Sequence, residues 1–127
     1  MYWLCITNER NWRVIRDKKI WGVESENIIS RVKKGDKLAI YLKQEKINNE
    51  IKNPRIVALY EVDSEVFRDS SKIFDRNYPY RVKLKLIKIL EKPLDFRSLI
   101  PKLSFIKNKK AWGAYLQRQM VPILEED

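Results

Sequence analysis

Residues 80–90 read YRVKLKLIKIL and show the clearest alternation of apolar and charged side chains in the chain. This two-residue period predicts a β-strand that buries one face, formed by Val82, Leu84 and Leu86, and turns its arginine and lysines to the other face. The period changes phase near Ile87, which indicates a β-bulge. The segment therefore predicts one long strand of a sheet that covers a core on one side.

Other segments carry strand signals of the same kind. Residues 2–7 and 56–62 are rich in apolar side chains, and residues 37–42 alternate. Residues 20–23 form a brief apolar island. The Asn-rich residues 44–54 are expected to form a loop or the tip of an extended hairpin.

Helical signals are short. Asn8 can cap a helical turn around residues 12–15, and residues 24–34 have apolar side chains at helical spacing before a Lys33-Lys34-Gly35 ending. Further short helices are expected within residues 63–77, at 95–100 and at 109–119, with Pro122 ending the regular structure.

Strands and helices do not alternate in a βαβ rhythm along this chain. The sequence therefore predicts an α+β fold around a curved or barrel-like sheet. Its length is that of one ordinary domain, so we expect a single domain spanning residues 1–127.

The charge balance points to polyanionic partners. The chain of 127 residues has 27 basic and 17 acidic side chains and a formal net charge of +10. Such an excess favours nucleic acid first and an anionic membrane surface second, although Lys-rich chains also arise from demands of solubility or heat tolerance. No apolar stretch approaches the roughly 20 residues that span a bilayer, and the N-terminus has no signal-like basic region. We therefore expect a cytoplasmic protein with no membrane partner.

Few side chains in this sequence could support catalysis. Histidine is absent, which excludes His-based acid–base chemistry and histidine-ligated metals, and the three glycines stand apart, so no phosphate loop is formed. The lone Cys5 lies in an apolar run and is expected to be a buried structural thiol. Carboxylates at 24–26 and 61–65 could hold a divalent metal as in a nuclease, but solvated charge is the simpler interpretation. We expect no catalytic residue, no metal and no cofactor.

Tryptophan is abundant for a chain of this size. Trp3, Trp12 and Trp21 all fall within the first 21 residues, among polar and basic neighbours. A base that stacks on an aromatic face gains roughly 1–3 kcal/mol, while Asn or Thr can read its hydrogen-bonding edge and Arg or Lys can hold the phosphates. Trp3 lies within an apolar strand and is expected in the core. Trp21 lies between a charged stretch and a glycine and is the best candidate for a pocket wall.

Several motifs, taken in chain order, resemble the EVE domain family. They are YWLCITN at 2–8, NW at 11–12, IWGV at 20–23, KGD at 34–36, PYRV at 79–82 and LSFIKNK at 103–109, followed by Trp112. The resemblance implies a PUA-like pseudo-barrel of mixed and antiparallel strands with short flanking helices, similar to YTH domains, which read methylated adenine in RNA. It also implies a pocket for a base lifted out of its strand, in many EVE domains a modified one.

The resemblance assigns base-binding roles residue by residue. Trp21 stands where YTH domains have one wall of an aromatic cage, and Thr7, Asn8 and Asn11 stand where their edge-reading side chains lie, next to Trp12. This chain has Ile-Thr where YTH domains have Lys-Ser, so a basic contact is missing at that point or supplied elsewhere.

The resemblance also locates the second cage wall and the phosphate contacts. The wall falls in a variable loop where this chain offers Phe74, Tyr78 and Tyr80, of which Phe74 or Tyr78 is favoured. The expected phosphate contacts are Arg81, Lys107, Asn108, Lys109 and Arg118.

The leading hypothesis is therefore a non-catalytic reader of a methylated base in DNA or RNA, single-stranded or flipped from a duplex. The alternatives are a PUA-like structured-RNA binder without preference for a modified base, a module that binds a free nucleobase-like small molecule, and a metal-dependent nuclease. Related domains occur both alone and fused to nucleases, so a nuclease or another effector is an expected kind of partner.

Overall fold

The computed structural model describes residues 1–95 and 119–123, which form nine strands and two helices. In chain order these elements are β1 (Tyr2–Thr7), α1 (Glu9–Lys18), β2 (Ile20–Val23), α2 (Glu26–Ile29), β3 (Lys37–Leu42), β4 (Glu45–Ile47), β5 (Glu50–Lys52), β6 (Arg55–Val62), β7 (Phe67–Arg68), β8 (Tyr80–Asp95) and β9 (Met120–Ile123). Neither described helix is long and apolar enough to cross a membrane.

One sheet organises the molecule. Its strands follow the order β2-β8-β6-β3-β1-β9, β7 pairs with β8 beside this path, and β4 and β5 form a separate hairpin. Strands β1 and β3 run parallel, whereas the other neighbours are antiparallel. The sheet is mixed and curls into a half-barrel, which confirms the predicted α+β class and PUA-like pseudo-barrel.

The core lies on the inner side of this sheet, where α1 packs. Trp12 and Ile15 of α1 are buried, and the Trp12 ring meets the Tyr60 ring edge-on at a centroid distance of 6.4 Å. Trp3 and Cys5 are buried as expected. Burial also raises the pKa of the Cys5 thiol well above its ordinary value, in keeping with a structural role.

The long strand β8 contains the predicted bulge. Leu59 of β6 pairs with Lys88 and the next residue, Tyr60, pairs with Leu86, so Ile87 is the extra residue. The expectation that Leu86 is buried with Val82 and Leu84 is wrong, because Leu86 is 40% exposed. A bulge bends its strand and re-aims neighbouring side chains, which takes Leu86 out of the alternation.

Helix α1 and the β4–β5 hairpin agree with the sequence pattern. The Asn8 side chain accepts a hydrogen bond from the Asn11 backbone N–H at 2.9 Å, as expected for a cap. The hairpin turns at Asn48 and Asn49, whose φ angles are 52° and 65°. Two consecutive positive φ angles are typical of the tight turns that match the twist of a hairpin, and Asn tolerates them.

The helix expected at residues 24–34 is much shorter than predicted. Only Glu26–Ile29 is helical, because the Asp36 carboxylate accepts hydrogen bonds that fix the following residues in a turn. Its Oδ2 accepts from the Lys33 backbone N–H and from Trp3 Nε1, each at 3.0 Å. These bonds close a turn at Gly35, where φ is +96°, in place of further helical turns.

Two other expectations are wrong. Residues 63–77 contain β7 and no helix. Arg81 binds the Ser71 carbonyl, and Asn8 and Asn11 bind the Asp75 carboxylate, so contacts with residues outside this segment set its conformation. Pro122 does not end the regular structure but lies in β9, paired with Trp3. Proline is tolerated there because β9 is the last strand of the sheet that the described residues form. The helices expected at 95–100 and 109–119 fall almost entirely outside the described residues.

Candidate nucleic-acid interface

Trp21 is enclosed on the edge strand β2. It pairs with Val82 of β8, and its side chain is 2% exposed. Its indole Nε1–H is buried and has no hydrogen-bond partner within residues 1–95 and 119–123. A buried donor left unsatisfied costs about 1–3 kcal/mol, so this N–H marks a position where an acceptor is favoured.

The two favoured candidates for the second wall lie on the other face of β2. A Cβ added to Gly22 would lie 2.9 Å from Phe74 Cε2 and 3.0 Å from the Tyr78 carbonyl oxygen, so this loop packs against the Gly22 face. Successive residues of a strand point to opposite faces, which places the Trp21 side chain on the reverse side. Although all three residues belong to or pack against one hydrophobic cluster, strand alternation places Trp21 on the face of β2 opposite this loop.

Tyr80 is the third candidate and shares the face of Trp21. It pairs with Val23, two residues beyond Trp21, and its side chain is partly exposed. Diagonal neighbours on adjacent strands lie about 7–8 Å apart, within reach of large aromatic side chains. The guanidinium carbon of Arg68 lies 5.9 Å from the centre of the Tyr80 ring. Of the three candidates, Tyr80 is thus the best placed to form a site with Trp21.

Arg81 is buried at 1% exposure and holds the loop that carries Phe74. Its Nε donates to the Tyr78 carbonyl at 2.8 Å, and its two terminal nitrogens donate to the hydroxyl and the carbonyl of Ser71. Its guanidinium lies 5.6 Å from the Phe74 ring centre and 3.5 Å from an Asp69 carboxylate oxygen. This burial is at odds with the phosphate contact expected of Arg81, since its donors are engaged within the protein.

Asn8 and Asn11 bind the same loop rather than facing an open pocket. Asn8 Nδ2 and Asn11 Nδ2 donate to the two carboxylate oxygens of Asp75, at 2.7 and 2.9 Å. Asn11 Oδ1 accepts from the Asp75 backbone N–H at 2.9 Å. These three bonds form what we call the Asp75 latch, and they occupy groups that were expected to read the edge of a base.

Asp75 is the residue that the sequence reasoning missed. Burial raises its pKa, but the hydrogen bonds from Asn11 and Asn8, together with the charges of Arg10 and Arg76, outweigh burial and hold the pKa below its ordinary value. Its sequence signal is weak, because the latch joins residues 64 and 67 positions apart. A buried asparagine requires a partner, but the sequence does not say which residue supplies it.

The other predicted site residues are placed as follows. Thr7 is buried at the end of β1, where its carbonyl accepts from the Lys43 backbone N–H at 3.0 Å. Trp12 is buried in the core against Tyr60. The remaining phosphate candidates lie outside the described residues: Lys107, Asn108, Lys109 and Arg118.

A metal-dependent nuclease site finds no support in the described part of the chain. No group of three histidine, cysteine or acidic side chains there could hold a metal ion. Glu61, a member of one carboxylate group, forms an ion pair with Lys37 of β3 instead.

The fold and this arrangement define the class of protein: a mixed half-barrel sheet with short flanking helices, of the PUA-like kind. A family model described as the EVE domain matches residues 1–127, and the chain belongs to that family. A UPF0310 protein from Pyrococcus abyssi is 52% identical over 134 residues, covering 99% of this chain and 93% of its own length.

Two solved structures show the same fold. Human THYN1 in complex with 5-methylcytosine-containing DNA has a TM-score of 0.61 at 17% identity, covering 98% of this chain and 91% of that one. The Mmi1 YTH domain has a TM-score of 0.57 at 13% identity, covering 83% and 75% of the two chains. At these identities the likeness concerns the fold, and it confirms the structural relation to YTH domains.

Proposed function

We propose that this chain is a non-catalytic nucleic-acid-binding module that holds a flipped-out, methylated base against Trp21. The observation that carries the proposal is the buried indole N–H of Trp21, which lacks a partner in the described part of the chain. An indole nitrogen can only donate, so its missing partner is an acceptor. Nucleobases present such acceptors as ring nitrogens and carbonyl oxygens.

Burial at Trp21 also suits a methyl group. A methyl group gains about 0.8 kcal/mol when it is moved from water into apolar surroundings. Flipping a base out of a duplex costs a few kcal/mol, so single-stranded or weakened sites are favoured. Because Trp21 is 2% exposed, the groups that cover it must move before a base can enter.

Charge and relatives support the same proposal. The net charge of +10 attracts a polyanion. A protein with the same fold, human THYN1, was solved with 5-methylcytosine-containing DNA. Tyr80 is partly exposed on the Trp21 face and supplies an aromatic surface on which the base can stack.

The test compares binding of matched oligonucleotides by fluorescence anisotropy at fixed salt. The strands are DNA and RNA, with and without 5-methylcytosine or N6-methyladenine. The wild type is expected to prefer one methylated strand. Trp21→Phe removes the donor but keeps an aromatic ring, and its affinity for that strand is expected to be roughly tenfold lower, a loss of about 1.4 kcal/mol. Tyr80→Ala is expected to weaken all strands by about 1–3 kcal/mol through lost stacking.

Trp3→Phe is the matched control. It also removes one buried indole N–H, but the acceptor of that N–H is Asp36 of the protein itself. Its affinity should equal that of the wild type at a temperature where both are folded. Equal affinities of Trp21→Phe and the wild type for every strand would overturn the proposal.

A further inference from the structure

We propose that the cleft between α1 and the β4–β5 hairpin is a phosphodiester-binding site, an inference that rests on the proposed nucleic-acid-binding function. The cleft has a volume of about 380 Å³. Its lining combines cations with apolar side chains: Glu9, Trp12, Arg13, Ile47, Lys52, Arg55, Val57 and Pro93.

The residues that line the cleft carry a surplus of positive charge, and two further carboxylates, of Glu45 and Glu50, lie beside it. Three cations, Arg13, Lys52 and Arg55, face one carboxylate, Glu9, and that carboxylate is already engaged by Arg55 at 2.6 Å. Arg13 forms no ion pair within the described ranges. Lys52 lies 3.4 Å from Glu50, whose side chain is 71% exposed, and such surface pairs are readily exchanged for a better anion.

Arg55 is held in position before any ligand arrives. Its side chain is 14% exposed, and besides its ion pair with Glu9 it donates to the Asn53 carbonyl at 3.0 Å. Unlike Arg81, Arg55 is partly exposed, and only two of its five N–H donors are used in these bonds. The remaining donors of this fixed guanidinium match the geometry of phosphate oxygens better than a mobile lysine does. The Glu9 backbone N–H donates to Glu45 Oε2 at 3.0 Å, which ties the hairpin to the start of α1 and keeps the two walls of the cleft together.

The floor of the cleft points to an organic phosphate rather than a free anion. It contains Trp12, Ile47, Val57 and Pro93, which offer apolar surface to a sugar or a base next to the charged group. A phosphodiester strand carries both components at every step.

The cleft and the Asp75 latch lie on opposite sides of α1. Glu9 and Arg13, four residues apart on the helix, face the cleft, whereas Asn11 faces the Asp75 latch on the opposite side. The cleft therefore lies on the side of α1 that the Asp75 latch leaves free.

The experiment measures the salt dependence of oligonucleotide affinity. The double variant Arg13→Gln/Lys52→Gln removes two cleft cations and leaves Arg55, with its structural bonds, in place. The slope of log affinity against log salt is expected to fall by about 1.4–1.8, since each phosphate contact contributes about 0.7–0.9. The preference for a methylated strand should be unchanged.

Lys33→Gln/Lys34→Gln provides the matched control. It makes the same change in net charge at exposed positions in the turn after α2, and its slope should equal that of the wild type. An unchanged slope in the cleft variant, or an equal fall in both double variants, overturns the cleft site while leaving base binding intact. Absence of oligonucleotide binding by the wild type overturns the proposed function and the cleft site together.

Discussion

At Gly22 the two faces of β2 have different neighbours: the loop with Phe74 packs on one face, and Trp21 points to the other. The missing side chain of Gly22 leaves the space that Phe74 and the Tyr78 carbonyl occupy. Trp21 itself is so deeply buried that Trp21→Ala would open a cavity costing about 3–5 kcal/mol. The conservative change to phenylalanine is therefore the useful probe of binding.

Gly22→Ala is expected to destabilise the protein by about 1–3 kcal/mol, because the added Cβ meets a buried ring and a backbone oxygen at 3.0 Å or less. Urea denaturation of the variant and the wild type measures this difference. A change below about 0.5 kcal/mol would mean that Phe74 and the Tyr78 backbone yield freely and do not pack tightly on β2.

At the level of elements, the start of α1 and the loop before β8 behave as one unit. Asn8 caps the helix and at the same time binds Asp75, and Asn11 completes the latch. The cap could be predicted from the local sequence. The latch could not, because nothing local to Asn11 indicates that a carboxylate 64 residues away lies beside it.

Asp75→Ala is expected to cost about 1.5–3 kcal/mol of stability near neutral pH, as hydrogen bonds to a charged group are lost. Because the pKa of Asp75 is lower in the folded protein than in the unfolded chain, this contribution is complete above the unfolded value of about 3.9. It disappears as the pH falls through the folded value.

Urea denaturation at pH 7 and at successively lower pH measures that dependence. The difference in the free energy of unfolding between wild type and Asp75→Ala should become smaller once the pH falls below about 4. A difference that is the same at pH 7 and pH 3 would show that Asp75 acts through packing rather than through its charge. Asp17→Ala, at an exposed position of α1, is the control and should leave stability nearly unchanged.

For the whole molecule, local patterns identified most strands but not how they meet. The alternation at residues 80–90 predicted β8 and its bulge, and the motifs predicted the family. Strand β8 pairs with β2 and β6 through residues that are distant in the chain: Val23 pairs with Tyr80, 57 residues away, and Val62 pairs with Leu84, 22 residues away. Pairings over such distances are set by tertiary packing and not by the local sequence.

The face on which each aromatic side chain lies depends on these long-range pairings, because alternation alone does not say which strand lies opposite. Val23 pairs with Tyr80, and Gly22 pairs with Arg81. The sequence left three aromatic candidates for the second wall and favoured Phe74 and Tyr78, which belong to the loop on the Gly22 face, over Tyr80.

The most direct test of base binding at Trp21 follows its indole N–H by NMR during titration with oligonucleotides. The chain has four tryptophans, and the indole signal that is missing from Trp21→Phe identifies Trp21. This signal is expected to shift downfield and to become protected from exchange as the preferred methylated strand saturates the protein. A Trp21 signal that stays in place at saturation would show that no base binds at the indole N–H.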